Sequence, residues 1–175
     1  MSGFTFKQFK VEHDSCAMKV STDGILLGAW AYLKGANTLL DIGTGTGLLA
    51  LMCKQRQPAL SITAVEIDEA AYKQAQQNIA SSPWPNITVK HTTIQAFKQA
   101  APFDVVISNP PYFNRSLKGL SDARNTARHT DGLSFDELIH AYMRLSHEHS
   151  CFNVILPTTE AGLFIELAKQ NGLYL

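Results

Sequence analysis

Residues 38–51 read Thr38-Leu39-Leu40-Asp41-Ile42-Gly43-Thr44-Gly45-Thr46-Gly47-Leu48-Leu49-Ala50-Leu51. Few folds accommodate that pattern. The first apolar run has the length and boundaries of a buried strand. The alternate glycines let the backbone turn and pass close to a bound group. The second run opens a helix whose first amides have no partner within the helix. The alternation then continues. Strands are expected at 61–66, 87–91, 103–108 and 151–156, and helices at 69–80, 134–149 and 159–170. Strands alternating with helices imply an α/β fold, a doubly wound, mostly parallel sheet with right-handed crossovers.

Helix signals punctuate the chain. Asp68 is placed to cap the helix over 69–80, with Glu69 in its first turn. Ser134 and Glu137 stand in capping-box register, and Asn171-Gly172 closes the last helix. Before the glycine turn, the alternation from Phe4 onward suggests a short strand packed on something larger. Thr22 or Asp23 is a candidate cap for a nearly all-apolar, buried helix over 25–33, broken by Gly35-Ala36-Asn37. No apolar run reaches the roughly 20 residues of a membrane span. The first residues lack the apolar core of a signal peptide, and Cys16, Cys53 and Cys151 lie far apart, as expected of reduced thiols in a cytoplasmic protein. The formal net charge is zero, so any nucleic-acid binding must come from a local patch.

Three places carry chemistry. Asp41 sits two residues before the first glycine, where a dinucleotide fingerprint is usually apolar. An acid there repels a pyrophosphate and suits a cationic ligand such as S-adenosylmethionine. Glu66 closes the second core strand, 23 residues after Gly43, where its two oxygens can take both hydroxyls of a ribose. A solvated strand end is the plainer reading of the same residue. The third place is Asp104-Val105-Val106-Ile107-Ser108-Asn109-Pro110-Pro111-Tyr112-Phe113. A strand runs into two prolines, which cannot donate to a ladder and push the preceding residues toward extended backbone. The resulting stiff loop suits a planar group bearing an NH₂. The Asn109 side-chain oxygen and the Pro110 carbonyl can accept its two hydrogens, and Tyr112 can stack on its plane. A proline-terminated strand with an aromatic plug is the alternative.

Asn109-Pro110-Pro111-Tyr112 resembles the motif of the S-adenosylmethionine-dependent amino-group methyltransferases. Over essentially its whole length the chain resembles the bacterial methyltransferases that modify N6 of adenine 37 in a valine tRNA. The discriminating stretches are Phe6-Lys7-Gln8-Phe9 and Cys16-Ala17-Met18-Lys19-Val20-Ser21-Thr22-Asp23-Gly24-Ile25-Leu26-Leu27-Gly28-Ala29-Trp30, supported by Arg124 and Ala127-Arg128. The resemblance implies a class I, Rossmann-like methyltransferase domain over 1–175, with 1–36 an N-terminal cap segment and 37–175 the core. Such enzymes add two more strands after the last helix, so the chain is expected to lack its final strands, with Leu173-Tyr174-Leu175 opening one of them.

The resemblance further implies S-adenosylmethionine as cofactor, bound by Asp41, Gly43, Gly45, Gly47, Glu66 and Thr93. Thr93 stands where many relatives place an aspartate against the adenine amino group. Thr22, Asp23 and Lys19 are implied as a lid, although Thr22 and Asp23 serve equally as helix caps. Catalysis falls to Asn109, Pro110 and Tyr112, and tRNA contact to Tyr112, Phe113, Arg115, Arg124 and Arg128. Those basic residues read equally as a solvated surface. A monomer is expected, with neither membrane nor metal. His147-Glu148-His149 reads as a polar helix end, since i and i+2 do not share a helix face. Three rivals remain at this point: glutamine-N5 methylation of a protein, DNA adenine methylation, and an inactive S-adenosylmethionine-binding module.

Overall fold

The computed structural model describes residues 3–16, 19–111 and 133–174. A hairpin of β1 (Gly3–Thr5) and β2 (Lys10–Glu12) precedes α1 (Thr22–Trp30). The core then alternates β3 (Thr38–Ile42), α2 (Leu48–Arg56), β4 (Ser61–Glu66), α3 (Glu69–Ala80), β5 (Thr88–His91), β6 (Phe103–Ser108), α4 (Phe135–Leu145), β7 (Ser146–Val154) and α5 (Thr158–Gln170). The strands order β5-β4-β3-β6-β7, every pairing parallel.

Successive strand residues point to opposite faces, and both faces are covered. Leu39, Ile62, Val105 and Ile107 pack with α1, α2 and Ile79 of α3. Leu40, Ile42, Val65 and Val106 pack with Leu138, Ala141, Tyr142 and Leu145 of α4, joined by Phe164 of α5. Two-sided burial is why these strands read as unbroken apolar runs. Each such side chain contributes about 1.5–3 kcal/mol on burial. Gly28 lets α1 approach α2: a Cβ there would lie 2.6 Å from Met52 Sδ.

The chain leaves β3 outward through β4 and β5, then returns to place β6 on the other side of β3. That reversal opens a crevice at the carboxyl ends of β3 and β6, where such sheets bind ligands. Ile42 and Ser108 are register partners there, and Ser108 Oγ donates to the Ile42 carbonyl at 3.0 Å.

The N-terminal hairpin is tied to this crevice through Asn78, which is 3% exposed. Its Oδ1 accepts from the Glu12 amide at 2.9 Å, and its Nδ2 donates to the carbonyls of Glu12 (2.8 Å) and Thr46 (2.9 Å). Asn78→Ala leaves three backbone groups without this partner, one of them in a buried bond and two in part-buried ones, and is expected to cost roughly 2–4 kcal/mol in urea unfolding. A loss under 0.5 kcal/mol would contradict the clamp.

Four expectations need correction. Ser21, not Thr22 or Asp23, caps α1, its side chain accepting from the Gly24 amide at 3.2 Å. Thr22 and Asp23 are the first helical residues. Nor is α1 buried all round. Gly24, Leu27 and Gly28 form its packed face, whereas Leu26 is 51% and Trp30 85% exposed on the other. The helix expected to run to residue 149 ends at Leu145, so His147, Glu148 and His149 belong to the irregular start of β7. Contacts to β6 divert the chain: Ser150 Oγ donates to the Phe103 carbonyl at 2.7 Å, and His147 Nε2 meets Asp104 Oδ1 at 3.1 Å. Leu173 and Tyr174 form no strand; the Leu173 amide donates to the Ala168 carbonyl and closes α5. The caps at Asp68 and Ser134–Glu137 stand as read.

Candidate active site

Asp41 lies near the carboxyl end of β3 and is wholly buried. Its Oδ2 accepts from Thr44 Oγ1 at 2.6 Å, while its Oδ1 is buried without a hydrogen-bond partner among the described residues. Burial pushes its pKa up to about 7; the Thr44 hydroxyl and then the Ala50 backbone amide oppose this, and the nearby Glu66 charge adds to it. A carboxylate costs several kcal/mol to bury without a counter-charge, so Asp41 creates a standing demand for a cation or donor.

That demand has a measurable consequence. The folded pKa lies above the unfolded value of 3.8. The stability Asp41 contributes is therefore complete below about pH 4 and is lost as pH rises through about 7. Asp41→Asn is expected to flatten the fall in unfolding free energy between about pH 4 and 7 by about 1 kcal/mol per pH unit. Parallel slopes for the two proteins in urea titrations would contradict a buried, ligand-free carboxyl.

The glycine turn follows. Gly43, Gly45 and Gly47 all take positive φ (69°, 55° and 81°), a region L side chains rarely adopt. Among the described residues, a Cβ added at Gly43 or Gly45 would meet no atom within 4 Å, whereas at Gly47 it would face Ala75 and Ile79 at 3.6 Å. One side of the turn thus rests on α3, and the other faces open space. Gly47 also stands as the left-handed N-cap of α2, with no capping side chain.

Glu66 ends β4 and is 7% exposed. Its Oε2 accepts from the Gly45 amide at 2.8 Å; its Oε1 accepts from the amides of Ile67 (2.8 Å) and Asp68 (2.9 Å). The solvated-strand-end reading does not survive that burial. A carboxylate has about four acceptor positions, and the described residues take three, leaving one on Oε2. Two ribose hydroxyls can be held together only if an amide lets go. Cys16 lies close by: burial, then the charges of Glu66 and Asp68, push its thiol up to about 11. The N-terminal segment thus reaches the Glu66 end of the crevice.

At the end of β6, Asn109 is half-buried and Pro110 buried. Asn109 Oδ1 is a second buried acceptor with no partner among the described residues. Its Nδ2 would lie 3.8 Å from a Cβ at Gly24, so the amide sits against the first turn of α1. Thr22 is exposed and Asp23 half-buried in that same turn. The crevice therefore gathers Asp41, the glycine turn, Asn109 and Pro110, with Glu66 holding Gly45 from the β4 side. Thr93 lies beyond β5, its Oγ1 accepting from the Ala96 amide at 3.1 Å, which leaves its hydroxyl hydrogen to donate. Tyr112, Phe113, Arg115, Arg124 and Arg128 lie outside the described residues.

Two unpaired acceptors and an open glycine turn fit a ligand that brings both positive charge and N–H donors. Sequence reasoning missed Asn78 and Ser21. Neither has a motif, although Asn78 falls on the α3 face shared by Ala75 and Ile79. Among the described residues no three His, Cys, Asp or Glu side chains converge as metal ligands would, and no helix is long and apolar enough to cross a membrane.

The family described as Methyltransferase small domain matches residues 25–126. The tRNA1(Val) (adenine(37)-N6)-methyltransferase of Pseudoalteromonas translucida is 73% identical over 175 residues, which is 100% of this chain and 75% of that protein. Proteins of the same name from Phocaeicola vulgatus and Aeromonas hydrophila are each 51% identical, covering 98% and 99% of this chain and 74% of each of theirs. Among solved structures, a methyltransferase from Pyrococcus furiosus superposes with a TM-score of 0.67 at 21% identity, covering 94% of this chain and 78% of that one. TYW2 of P. horikoshii in complex with MeSAdo gives 0.67 at 14% identity, covering 98% and 60%. At those identities the structures speak for the fold alone, a class I methyltransferase sheet.

Proposed function

Because the chain belongs to the Methyltransferase small domain family, and within it to the tRNA1(Val) (adenine(37)-N6)-methyltransferases, we propose that it methylates N6 of adenine 37 in a valine tRNA, with S-adenosylmethionine as donor. The observation that carries the site assignment is the Oδ1 of Asn109, buried and unpartnered among the described residues, just past the level where β6 and β3 end together. An acceptor left unpaired at a crevice is costly, and the target amine removes that cost.

Bound S-adenosylmethionine supplies a methyl group on a cationic sulfur. Asp41, buried and short of a counter-charge, favours a ligand of that sign. Glu66 takes one ribose hydroxyl on its remaining Oε2 position, and a second when an amide is released. The Thr93 hydroxyl can meet the adenine end, while Gly43, Gly45 and Gly47 give the ligand close access to backbone. Thr22 and Asp23, in the first turn of α1, border the crevice from the Asn109 side.

The exocyclic nitrogen of adenine is a weak nucleophile because its lone pair is conjugated with the ring. Asn109 Oδ1 and the Pro110 carbonyl accept its two hydrogens, favour pyramidal geometry and aim the lone pair at the methyl. This is positioning and electrostatic stabilisation, and the proton leaves to water after transfer. Tyr112 stacks on the extruded base, worth about 1–3 kcal/mol, and Phe113 walls the pocket. An unpaired anticodon-loop base leaves its stack at modest cost. Arg115, Arg124 and Arg128 grip RNA phosphates. We assign the chain one domain, 1–36 as a cap segment and 37–175 as the core, acting as a monomer in the cytoplasm, where its tRNA substrate is found.

Incubating the protein with labelled S-adenosylmethionine and unmodified bulk tRNA, with a release-factor protein in parallel, tests the reading. N6-methyladenosine in tRNA is the expected product. Label on glutamine would replace the RNA substrate by a protein one.

A further inference from the structure

We propose that His91 is a positioning residue for cofactor binding, acting on Glu66 through one peptide plane; the inference rests on the reading of Glu66 as the ribose-binding acid. His91 ends β5 and is the register partner of Glu66 on β4. Its Nε2 lies 2.9 Å from the Ile67 carbonyl oxygen. A carbonyl only accepts, so Nε2 carries the hydrogen and donates.

The Ile67 carbonyl and the Asp68 N–H belong to the same peptide unit. In a trans peptide they point in opposite directions within one plane, and the described residues contain no cis bond. Holding the oxygen end therefore aims the nitrogen end, and the Asp68 amide donates to Glu66 Oε1 at 2.9 Å. Polarising the carbonyl also strengthens the N–H as a donor along the chain of bonds. The imidazole is itself oriented from α3: Tyr72 stacks on it, ring centroids 5.2 Å apart and planes 21° apart.

The four groups form a relay, Tyr72 to His91 to the Ile67–Asp68 peptide to Glu66. It fixes the Oε1 edge of the carboxylate, so that the open position on Oε2 faces the crevice beside Gly45. Ile67 is 65% exposed. Asp68 is anchored on the far side as the N-cap of α3, and His91 adds the restraint on the carbonyl end of the peptide. Since His91 is exposed and lies outside both packed cores, its variants retain the fold.

The test compares wild type with His91→Phe, which keeps the stacked ring but cannot donate, and His91→Gln, which keeps a donor. Two quantities are read: the Asp68 backbone amide resonance in the ligand-free protein, and the dissociation constant of S-adenosylhomocysteine by calorimetry. His91→Phe is expected to move the Asp68 amide upfield and weaken binding roughly three- to tenfold. Turnover at saturating cofactor should stay within about twofold, and His91→Gln should restore most of the affinity. An unmoved Asp68 amide, or unchanged affinity in His91→Phe, overturns the inference. If Glu66→Ala also leaves the affinity unchanged, the ribose reading falls with it; if only His91→Phe is silent, the ribose reading stands alone.

Discussion

Asn109→Ala is expected to cut methyl transfer roughly a hundred- to a thousandfold while cofactor affinity stays within about twofold. The size follows from removing one preorganised group that acts at the reacting atom. The selectivity follows from its place. Asn109 sits at the end of β6 with its Oδ1 buried and unpaired among the described residues, while the charged groups assigned to the cofactor, Asp41 and Glu66, come from β3 and β4. Single-turnover transfer measured beside calorimetric binding separates the two quantities. Near-wild-type turnover would remove Asn109 from the chemistry, and a parallel loss of binding would make it a cofactor ligand instead.

Glu66→Ala is expected to do the reverse, raising the cofactor dissociation constant about a hundredfold or more. Charge-assisted hydrogen bonds are worth about 1.5–3 kcal/mol each, and every 1.4 kcal/mol is tenfold in affinity. Two ribose hydroxyls are at stake, and the substitution also releases the amides of Gly45, Ile67 and Asp68. Turnover at saturating cofactor should fall far less than affinity. An unchanged dissociation constant would leave Glu66 a purely structural anchor of the glycine turn.

How much of this was legible from residues alone varied with the physics of each signal. The central strands β3, β4 and β6 read clearly because parallel strands buried on both faces are continuous apolar runs bounded by breakers. The Asp68 and Ser134–Glu137 caps were legible because capping is a local hydrogen bond between neighbours in sequence. Ser21 was passed over for Thr22 and Asp23, since three adjacent residues all had capping chemistry and only backbone geometry distinguishes them. Sequence reading also carried α4 too far, because the bonds that pull His147 and Ser150 onto β6 come from Asp104 and Phe103, more than forty positions away. The burial of α1 was overstated for a related reason: composition tells how apolar a helix is but not how many neighbours it meets.

At the site, Asp41, the glycines, Glu66 and Asn109 were found because motif spacing reports a strand end. Their hydrogen-bond states were not visible in spacing. Asp41 Oδ1 and Asn109 Oδ1 without partners among the described residues, and Glu66 already holding three amides, are properties of the folded backbone. Asn78 and His91 belong to the same class, each acting on a carbonyl far from it in sequence.

The central claim is that the crevice at Asn109 delivers a methyl group to an exocyclic amine at one position. It is tested most directly with two valine tRNAs, one carrying adenosine and the other purine riboside, which lacks the amine, at position 37. Each is incubated with labelled S-adenosylmethionine and digested to nucleosides. Label is expected only with adenosine, recovered as N6-methyladenosine. Equal labelling of both tRNAs, or a methyl group on a ring nitrogen, would contradict the account.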